Sequence, residues 1–144
     1  MPSQELWEAA PRFAGWPSVK VLPAADEGAL REALAQAGFE VRTLEGRDVT
    51  GDAALFEAMA RALDLPDDFG ANWDAFADSL FDLTDAPGRR LALVWREAHL
   101  SLAAGVRSVV NALLLLHEQA SHVEAEPDAT QLFVYLLGEG PGWA

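Results

Sequence analysis

Apolar residues along the chain fall into two kinds of run, and their alternation predicts the order of secondary structure. Four short runs, SVKVL, FEVRTL, LALVW and LFVYLL, predict strands at 18–22, 39–44, 91–95 and 132–137. The last two runs are apolar throughout, which is typical of strands buried on both faces of a sheet. Between the strands, apolar residues recur every three or four positions, which predicts helices.

The helices are expected at 28–37, from Thr50 or Asp52 to about Asp64, at 72–82, and from Ser101 to about Ser121. The last of these is apolar over much of its circumference, so we expect it to be largely buried. The resulting order is β-α-β-α-α-β-α-β. It predicts an α/β fold, in which helices pack on a small, mostly parallel sheet of three to four strands.

A chain of 144 residues is expected to form one domain with a packed core. Residues 1–17 are interpreted as an arm or short helix packed on the body, and 138–144 as a flexible tail. The chain has no cysteine, so disulfides and thiol chemistry are excluded. Its first residues do not resemble a signal peptide, and its longest apolar run, 112–116 with the valines before it, is too short to span a bilayer. We therefore expect a cytoplasmic protein.

The most distinctive stretch runs from Leu65 to Asp85 and reads LPDDFGANWDAFADSLFDLTD. A helix over 72–82 would place three apolar and three acidic residues on opposite sides: Trp73, Phe76 and Leu80 against Asp74, Asp78 and Asp82. Asn72 is a good N-cap, and an Asp in the first turn suits the positive end of the helix dipole.

Carboxylates one helical turn apart repel one another. Between Arg61 and Arg89 there are seven Asp and no Lys or Arg, so nothing nearby relieves this repulsion. The whole chain carries 23 acidic and 10 basic residues, a net charge of -13. Such a charge disfavours nucleic acids and anionic membranes and favours a basic protein partner. The pattern alone also allows a plainer interpretation, in which the row of Asp74, Asp78 and Asp82, the acidic stripe, is only a solvated helix face.

The segment LPDDFGANWDAFADSLFDL resembles the central segment of barstar-type ribonuclease inhibitors. Both have a Pro, two residues, an aromatic–Gly pair, Asn-x-Asp-Ala and a second Asp one turn later. The order of the flanking elements extends the resemblance over roughly 39–138. It implies a three-stranded parallel core at 39–138, to which residues 1–38 would add an N-terminal extension with one β-α unit.

The resemblance also implies a function. In the family, this helix inserts into the active-site cleft of a small basic ribonuclease, with carboxylates where substrate phosphates would lie. Asp78 matches the main contact and Asp74 its companion. The resemblance implies an inhibitor that protects the producing cell, with no catalytic activity, cofactor or metal, and a monomer when free.

The loop before the helix is expected to join the contact surface. Phe69, Gly70 and Asn72 match the family's aromatic, Gly and Asn, and Gly70 is expected to give the loop a conformation that other residues resist. Asp68 belongs to the same loop. Asp82 continues the acidic stripe beyond the two matched carboxylates.

This chain departs from barstar at several positions. Asp68 replaces an aromatic, Ala77 replaces a tryptophan, and Leu83 lies near the position of another. Barstar also uses a later carboxylate, and counting from the Trp95–Arg96 pair places that position at Glu118. The residues between are dissimilar, so this match is weaker than those of Asp74 and Asp78, and a plain surface Glu is the favoured interpretation. These departures leave open whether the target is a close relative of barnase.

Two alternatives follow. The first is an acidic module that binds another basic protein or toxin. The second is a metal-dependent enzyme with Asp67, Asp68 and the stripe as oxygen ligands for Mg²⁺ or Ca²⁺. The enzyme is disfavoured, because diphosphate chemistry needs cationic groups that this stretch lacks. The three histidines show no metal-ligand spacing, and no nucleophile elbow or phosphate-binding loop occurs.

Overall fold

A computed structural model describes Phe13 and residues 18–66, 70–85, 88–125 and 130–143, without the side chains of 120–125. Four strands and four helices follow the predicted order. They are β1 (Val19–Pro23), α1 (Glu27–Gln36), β2 (Glu40–Glu45), α2 (Asp52–Leu63), α3 (Trp73–Asp85), β3 (Arg90–Arg96), α4 (Ala98–Ala125) and β4 (Gln131–Gly138). The predicted α/β fold is confirmed.

All four strands pair in parallel, in the order β1-β4-β3-β2. The first β-α unit therefore extends the same sheet, because β1 pairs with β4 at one edge. Strands β3 and β4 are central, and the run Leu91–Trp95 is buried throughout, as its composition predicts.

Side chains of β3 alternate between two apolar layers, one on each face of the sheet. Leu91, Leu93 and Trp95 join the layer under α2, α3 and α4, whereas Ala92 and Val94 join the layer under α1. The apolar residues that recur every three or four positions in α1 and α2 are buried in these layers: Leu30, Ala33, Leu34, Leu55, Phe56, Met59, Ala62 and Leu63. Three helices thus share one face, and the acidic helix is among them.

The layer under α1 also holds Phe13, which is only 1% exposed. Its carbonyl oxygen accepts a 2.7 Å hydrogen bond from the hydroxyl of Tyr135, and burial raises the pKa of this phenol well above its usual range. Phe13 thus packs on the body, as expected of an N-terminal arm. Trp7 and Trp16 lie outside the described residues.

The prediction of a flexible tail is wrong for residues 138–143. Gly138 ends β4, and the indole of Trp143 covers it so closely that a Cβ at this position would overlap the ring. Trp143 Nε1 donates a 2.8 Å hydrogen bond to Leu22 O, and the ring lies edge-on to His99 with centroids 6.2 Å apart. The Gly- and Pro-rich composition suggests flexibility, but the single Trp fixes the segment.

The prediction of a largely buried last helix is also wrong. Ala112 and Leu116 are buried, whereas Val106, Val110 and Leu114 are exposed. The sheet and α3 cover one side of α4 and leave apolar residues on the other side at the surface. The helix begins earlier than predicted, and Gly105 interrupts it with non-helical backbone angles. By length and composition alone, Ala98–Gln119 could cross a membrane, a criterion that core helices of soluble proteins also meet.

An ion-pair network ties α1 to the carboxyl ends of β2 and β3. Arg96 lies 3.1 Å from Glu27 and 2.9 Å from Glu45, and Glu27 also accepts a 2.9 Å hydrogen bond from Arg31. Burial acts to raise the pKa of Glu27, but hydrogen bonds from the two arginines outweigh it and hold the pKa below its usual value. The charged form of Glu27 therefore stabilises the folded state.

Replacing Glu27 with Gln is expected to destabilise the protein at neutral pH by up to about 1 kcal/mol. Because its pKa is lowered on folding, the stabilisation is present above the ordinary value of 4.5 and is lost as the pH falls through the lowered value. Thermal unfolding of wild type and E27Q across this range should show two curves that converge in acid. The control is Glu32→Gln, an exposed α1 residue with no ion pair to a described residue. A difference that persists in acid would contradict the prediction.

Candidate functional site

The acidic helix forms as predicted, with bounds of Trp73–Asp85 instead of 72–82. Phe76 and Leu80 are fully buried, and Trp73 packs against the same apolar layer. On the other side, the structure brings together three exposed carboxylates, those of Asp74, Asp78 and Asp82. The expected division of this helix into an apolar and an acidic side is confirmed.

Asn72 caps the helix, as its position predicts. Its side-chain Oδ1 accepts a 2.8 Å hydrogen bond from the backbone N–H of Ala75, and its carbonyl accepts one of 2.9 Å from Phe76. The Asn72 amide also donates to Gly70 O at 3.3 Å, which closes the loop onto the helix. Asn72 is thus a structural residue that orients the first turn.

The loop approaches the helix closely at Gly70. A Cβ at this position would lie 3.3 Å from Ala75 Cβ and 3.4 Å from Asn72 Nδ2, so a larger residue would have to displace one of them. The prediction that Gly70 supplies a backbone conformation that other residues resist is wrong, because the left-handed conformation in this turn is found at Ala71, with φ of 50°. Asp68 and Phe69 lie outside the described residues, and their contact roles stay predictions.

A carboxylate outside the motif anchors the start of the acidic helix. Asp52 Oδ2 accepts a 3.2 Å hydrogen bond from Trp73 Nε1, and its other oxygen accepts one from Ser108 Oγ. One side chain therefore joins α2, α3 and α4. The sequence predicts that α2 begins at Thr50 or Asp52, since either side chain could cap it; in the structure the helix begins at Asp52, and the N-cap is Gly51, which has no side chain to cap it.

Aromatic contacts reinforce this anchor. The Trp73 ring lies edge-on to Phe56, with centroids 4.8 Å apart, and edge-on to Phe76 at 6.1 Å. Such arrangements add to the stabilisation that comes from buried area alone. Trp73 is therefore held by the hydrogen bond from its indole N–H and by edge-on contacts with two aromatic rings.

The other end of the helix is held by Thr84, which is fully buried. Its Oγ1 lies 3.0 Å from Leu80 O and 3.1 Å from Gln119 Oε1 in α4, and its carbonyl accepts a hydrogen bond from Thr130 N. With both ends fixed, the acidic side is presented on a rigid support. A rigid site loses less conformational entropy on binding than a mobile one.

The three exposed Asp keep their charge unneutralised. None of them forms an ion pair with any residue that the structure describes, whereas six arginines pair with acidic residues outside α3. The stripe is therefore a concentrated source of negative potential. In the described part of the chain, no three His, Cys, Asp or Glu side chains are close enough together to hold a metal ion.

The structure also places the positions at which the chain departs from barstar. Leu83 packs against the core, and Ala77 is half-buried, so neither offers the flat exposed surface of a tryptophan. Glu118 is exposed on α4, next to the Gln119 that contacts Thr84. It thus lies near the end of α3 that is remote from Asp74.

A sequence model of one protein family, described as Barstar (barnase inhibitor), matches residues 39–135, which is more than half of the chain. The chain belongs to the barstar family. The matched region contains the whole acidic helix and the loop before it, so the resemblance in the motif is confirmed at the level of the family. Strand β1 and helix α1 precede the matched region, and in this barstar-family chain they form the fourth strand and the helix of the opposite face.

A comparison with curated proteins finds no match. Among solved structures, one similar chain comes from the "Structure of Drosophila ORC bound to AT-rich DNA and Cdc6". The TM-score is 0.52 and the identity 13%; the match covers 96% of this chain and 47% of that chain. This barstar-family chain therefore spans about half of that protein, and at such low identity the likeness concerns the fold alone.

Replacing Asn72 with Ala is expected to lower the free energy of unfolding by about 1 kcal/mol, because the cap on the first turn of α3 is lost. Asn72→Asp keeps a capping oxygen and should stay close to wild type. Chemical denaturation of the three proteins measures the difference. Equal destabilisation by both substitutions would show that the amide contact with Gly70, and not the cap, is the contribution that matters.

Proposed function

We propose that this barstar-family chain inhibits a small basic ribonuclease by covering its active site with α3 and the preceding loop. The observation that carries the proposal is the position of the unpaired acidic stripe inside the region that matches the family. In this proposal the chain has no catalytic activity, needs no cofactor or metal, and acts in the cytoplasm of the producing cell.

The proposed contact uses the chemistry by which a ribonuclease holds its substrate. An RNA-cleaving site carries Arg, Lys and His groups that bind phosphate, and carboxylates can accept the same charge-assisted hydrogen bonds. Asp78 would be the main contact and Asp74 its companion, with Asp82 at the edge. Asn72 and Gly70 would set the shape of the loop beside them.

Charge would act before contact is made. A net charge of -13 attracts a basic partner over a distance and speeds encounter, and this effect falls as salt screens it. Because α3 is fixed at both ends, the carboxylates need little reordering when the partner arrives. Binding would also relieve the repulsion among the three Asp, since each would acquire a cationic neighbour.

A second candidate is an acidic module for a different basic protein or toxin. The core position of Leu83 and the small side chain of Ala77 favour it, because the aromatic contacts of barstar are absent there. Both candidates use the same carboxylates and differ only in the partner. Inhibition assays against ribonucleases distinguish them.

Asp78→Ala is expected to weaken inhibition of a susceptible small microbial ribonuclease by about thirtyfold or more. Removing one partner of a buried charge pair costs about 2 kcal/mol or more, a range that includes barnase–barstar itself. The control is Glu32→Ala, which removes one exposed carboxylate from α1 on the opposite face of the sheet. Inhibition constants at low and moderate salt, measured against a panel of ribonucleases, provide the test.

Two results would count against the inhibitor. If Asp78→Ala and Glu32→Ala inhibit as well as wild type, the stripe is not the contact. If wild type inhibits no member of the panel, the second candidate takes precedence, and the search moves to other basic proteins of the source cell.

Asp78→Asn is expected to stabilise the free protein while it weakens inhibition. It removes two like-charge contacts, with Asp74 and Asp82, each of which costs about 0.2–0.5 kcal/mol on a helix surface. Asn and Asp have similar helix propensities, so the change reports repulsion. Denaturation at low salt should show the gain, and high salt should reduce it. A loss of stability would mean that Asp78 makes favourable contacts in the free protein.

A further inference from the structure

The outer side of α4 carries an apolar stripe. Val106, Val110 and Leu114 follow one another at intervals of one turn in the helix after Gly105, and they are 58%, 44% and 62% exposed. In the apolar part of this helix, Ala98–Gln119, only 28% is buried inside the protein. Exposed apolar residues in a continuous row are a common mark of an interaction surface.

The apolar stripe of α4 also lies in a segment that lacks acidic residues, although the protein as a whole is strongly acidic. From Ala98 to His117 the sequence has no Asp or Glu, although the chain has 23 in total. A cationic partner, which the acidic helix would attract, finds no counter-charge along this segment. The surface instead suits a partner that is itself neutral and apolar.

The spacing of the stripe makes it complementary to itself. Val106 precedes Val110 by four residues, and Leu114 follows Val110 by four. If two copies of α4 pack antiparallel across a two-fold axis at Val110, Val106 of each copy meets Leu114 of the other, and the two Val110 side chains face each other. A second copy of the chain therefore offers the matching surface.

Two charged residues beside the stripe support this register. Arg107 and Glu118 are exposed, lie on the same flank of the helix, and have no ion pair or hydrogen bond within the described ranges. In the antiparallel pair, Arg107 lies about 4.5 Å from the two-fold axis, measured along the helix, and the partner's Glu118 lies about 12 Å from the axis on the same side. About 7.5 Å therefore separates the two residues along the helices. An arginine side chain spans that distance, and the symmetry creates the pair twice.

We propose that the chain forms a homodimer through the outer sides of two antiparallel α4 helices. A single helix pair is smaller than a standard stable interface, so association is weak and depends on concentration. Two chains of charge -13 repel each other, and salt screens this repulsion while the apolar contact remains. Dimerisation therefore strengthens with salt. This inference does not depend on the proposed ribonuclease, whose binding weakens with salt.

Sedimentation of the full chain from about 5 to about 500 µM, a range suited to a weak interface, tests the proposal. The mean mass should rise from 15.5 kDa towards twice that value, and more steeply at about 0.5 M than at about 0.05 M NaCl. Val110→Glu should stay monomeric, because it places two carboxylates face to face. The matched control is Val21→Glu, which alters a 48% exposed valine on β1 and should dimerise like wild type. Circular dichroism checks that both variants fold.

A charge exchange tests the register. Arg107→Glu and Glu118→Arg should each raise the dimer Kd by about tenfold, since each disrupts two symmetry-related pairs. The double variant restores both pairs with reversed polarity and should return close to wild type. The decisive result is the weaker association of Glu118→Arg, because this change lowers the net negative charge and would strengthen the dimer if net charge alone mattered.

Three results would overturn the proposal, and a fourth would overturn its antiparallel register. A constant mass of 15.5 kDa at every concentration and salt would do so, as would dimerisation of Val110→Glu like that of wild type. Binding of the monomer, but not of Val110→Glu, to neutral phosphatidylcholine vesicles would assign the stripe to lipid instead. If the double charge variant is weaker than either single variant, the antiparallel register is wrong.

Discussion

The carboxylate of Asp52 is the contact on which the candidate site depends. It accepts hydrogen bonds from Trp73 in α3 and Ser108 in α4 while it belongs to the first turn of α2. Three helices are thereby joined at the end of the sheet where the acidic helix begins. Carboxylates are favourable near helix N-termini, so Asp52 is well placed in its own helix and anchors a second one.

Burial of its apolar side and its N-terminal cap explain how α3 tolerates the repulsion among its three carboxylates. Each like-charge contact among Asp74, Asp78 and Asp82 costs only about 0.2–0.5 kcal/mol. Burial of Phe76 or Leu80 contributes about 1.5–3 kcal/mol each, and the cap at Asn72 about 1 kcal/mol more. The apolar side therefore exceeds the electrostatic cost several-fold. The helix therefore tolerates three carboxylates that form no ion pair with any described residue.

The sequence predicts those features that depend on local spacing. The two sides of α3, its cap at Asn72 and the buried strand Leu91–Trp95 all follow from periodicity within one element. Asp52 was not predicted as an anchor, because its partners lie 21 and 56 residues away and no pattern links them. Likewise, a helix that is apolar all round looks buried in sequence, although only its neighbours decide which side is covered.

The exposed side of α4 was missed for that reason, and it gives the molecule a second surface of opposite character. The side of α3 that carries Asp78 is charged and unpaired, whereas the row through Val110 is neutral and apolar. Long-range attraction acts on the first and contact area on the second, so ionic strength affects them in opposite directions. α3 and α4 are fixed to each other through Thr84 and Gln119, yet each presents its own surface to solvent. One rigid layer of helices can therefore serve two partners whose binding is governed by different physical forces.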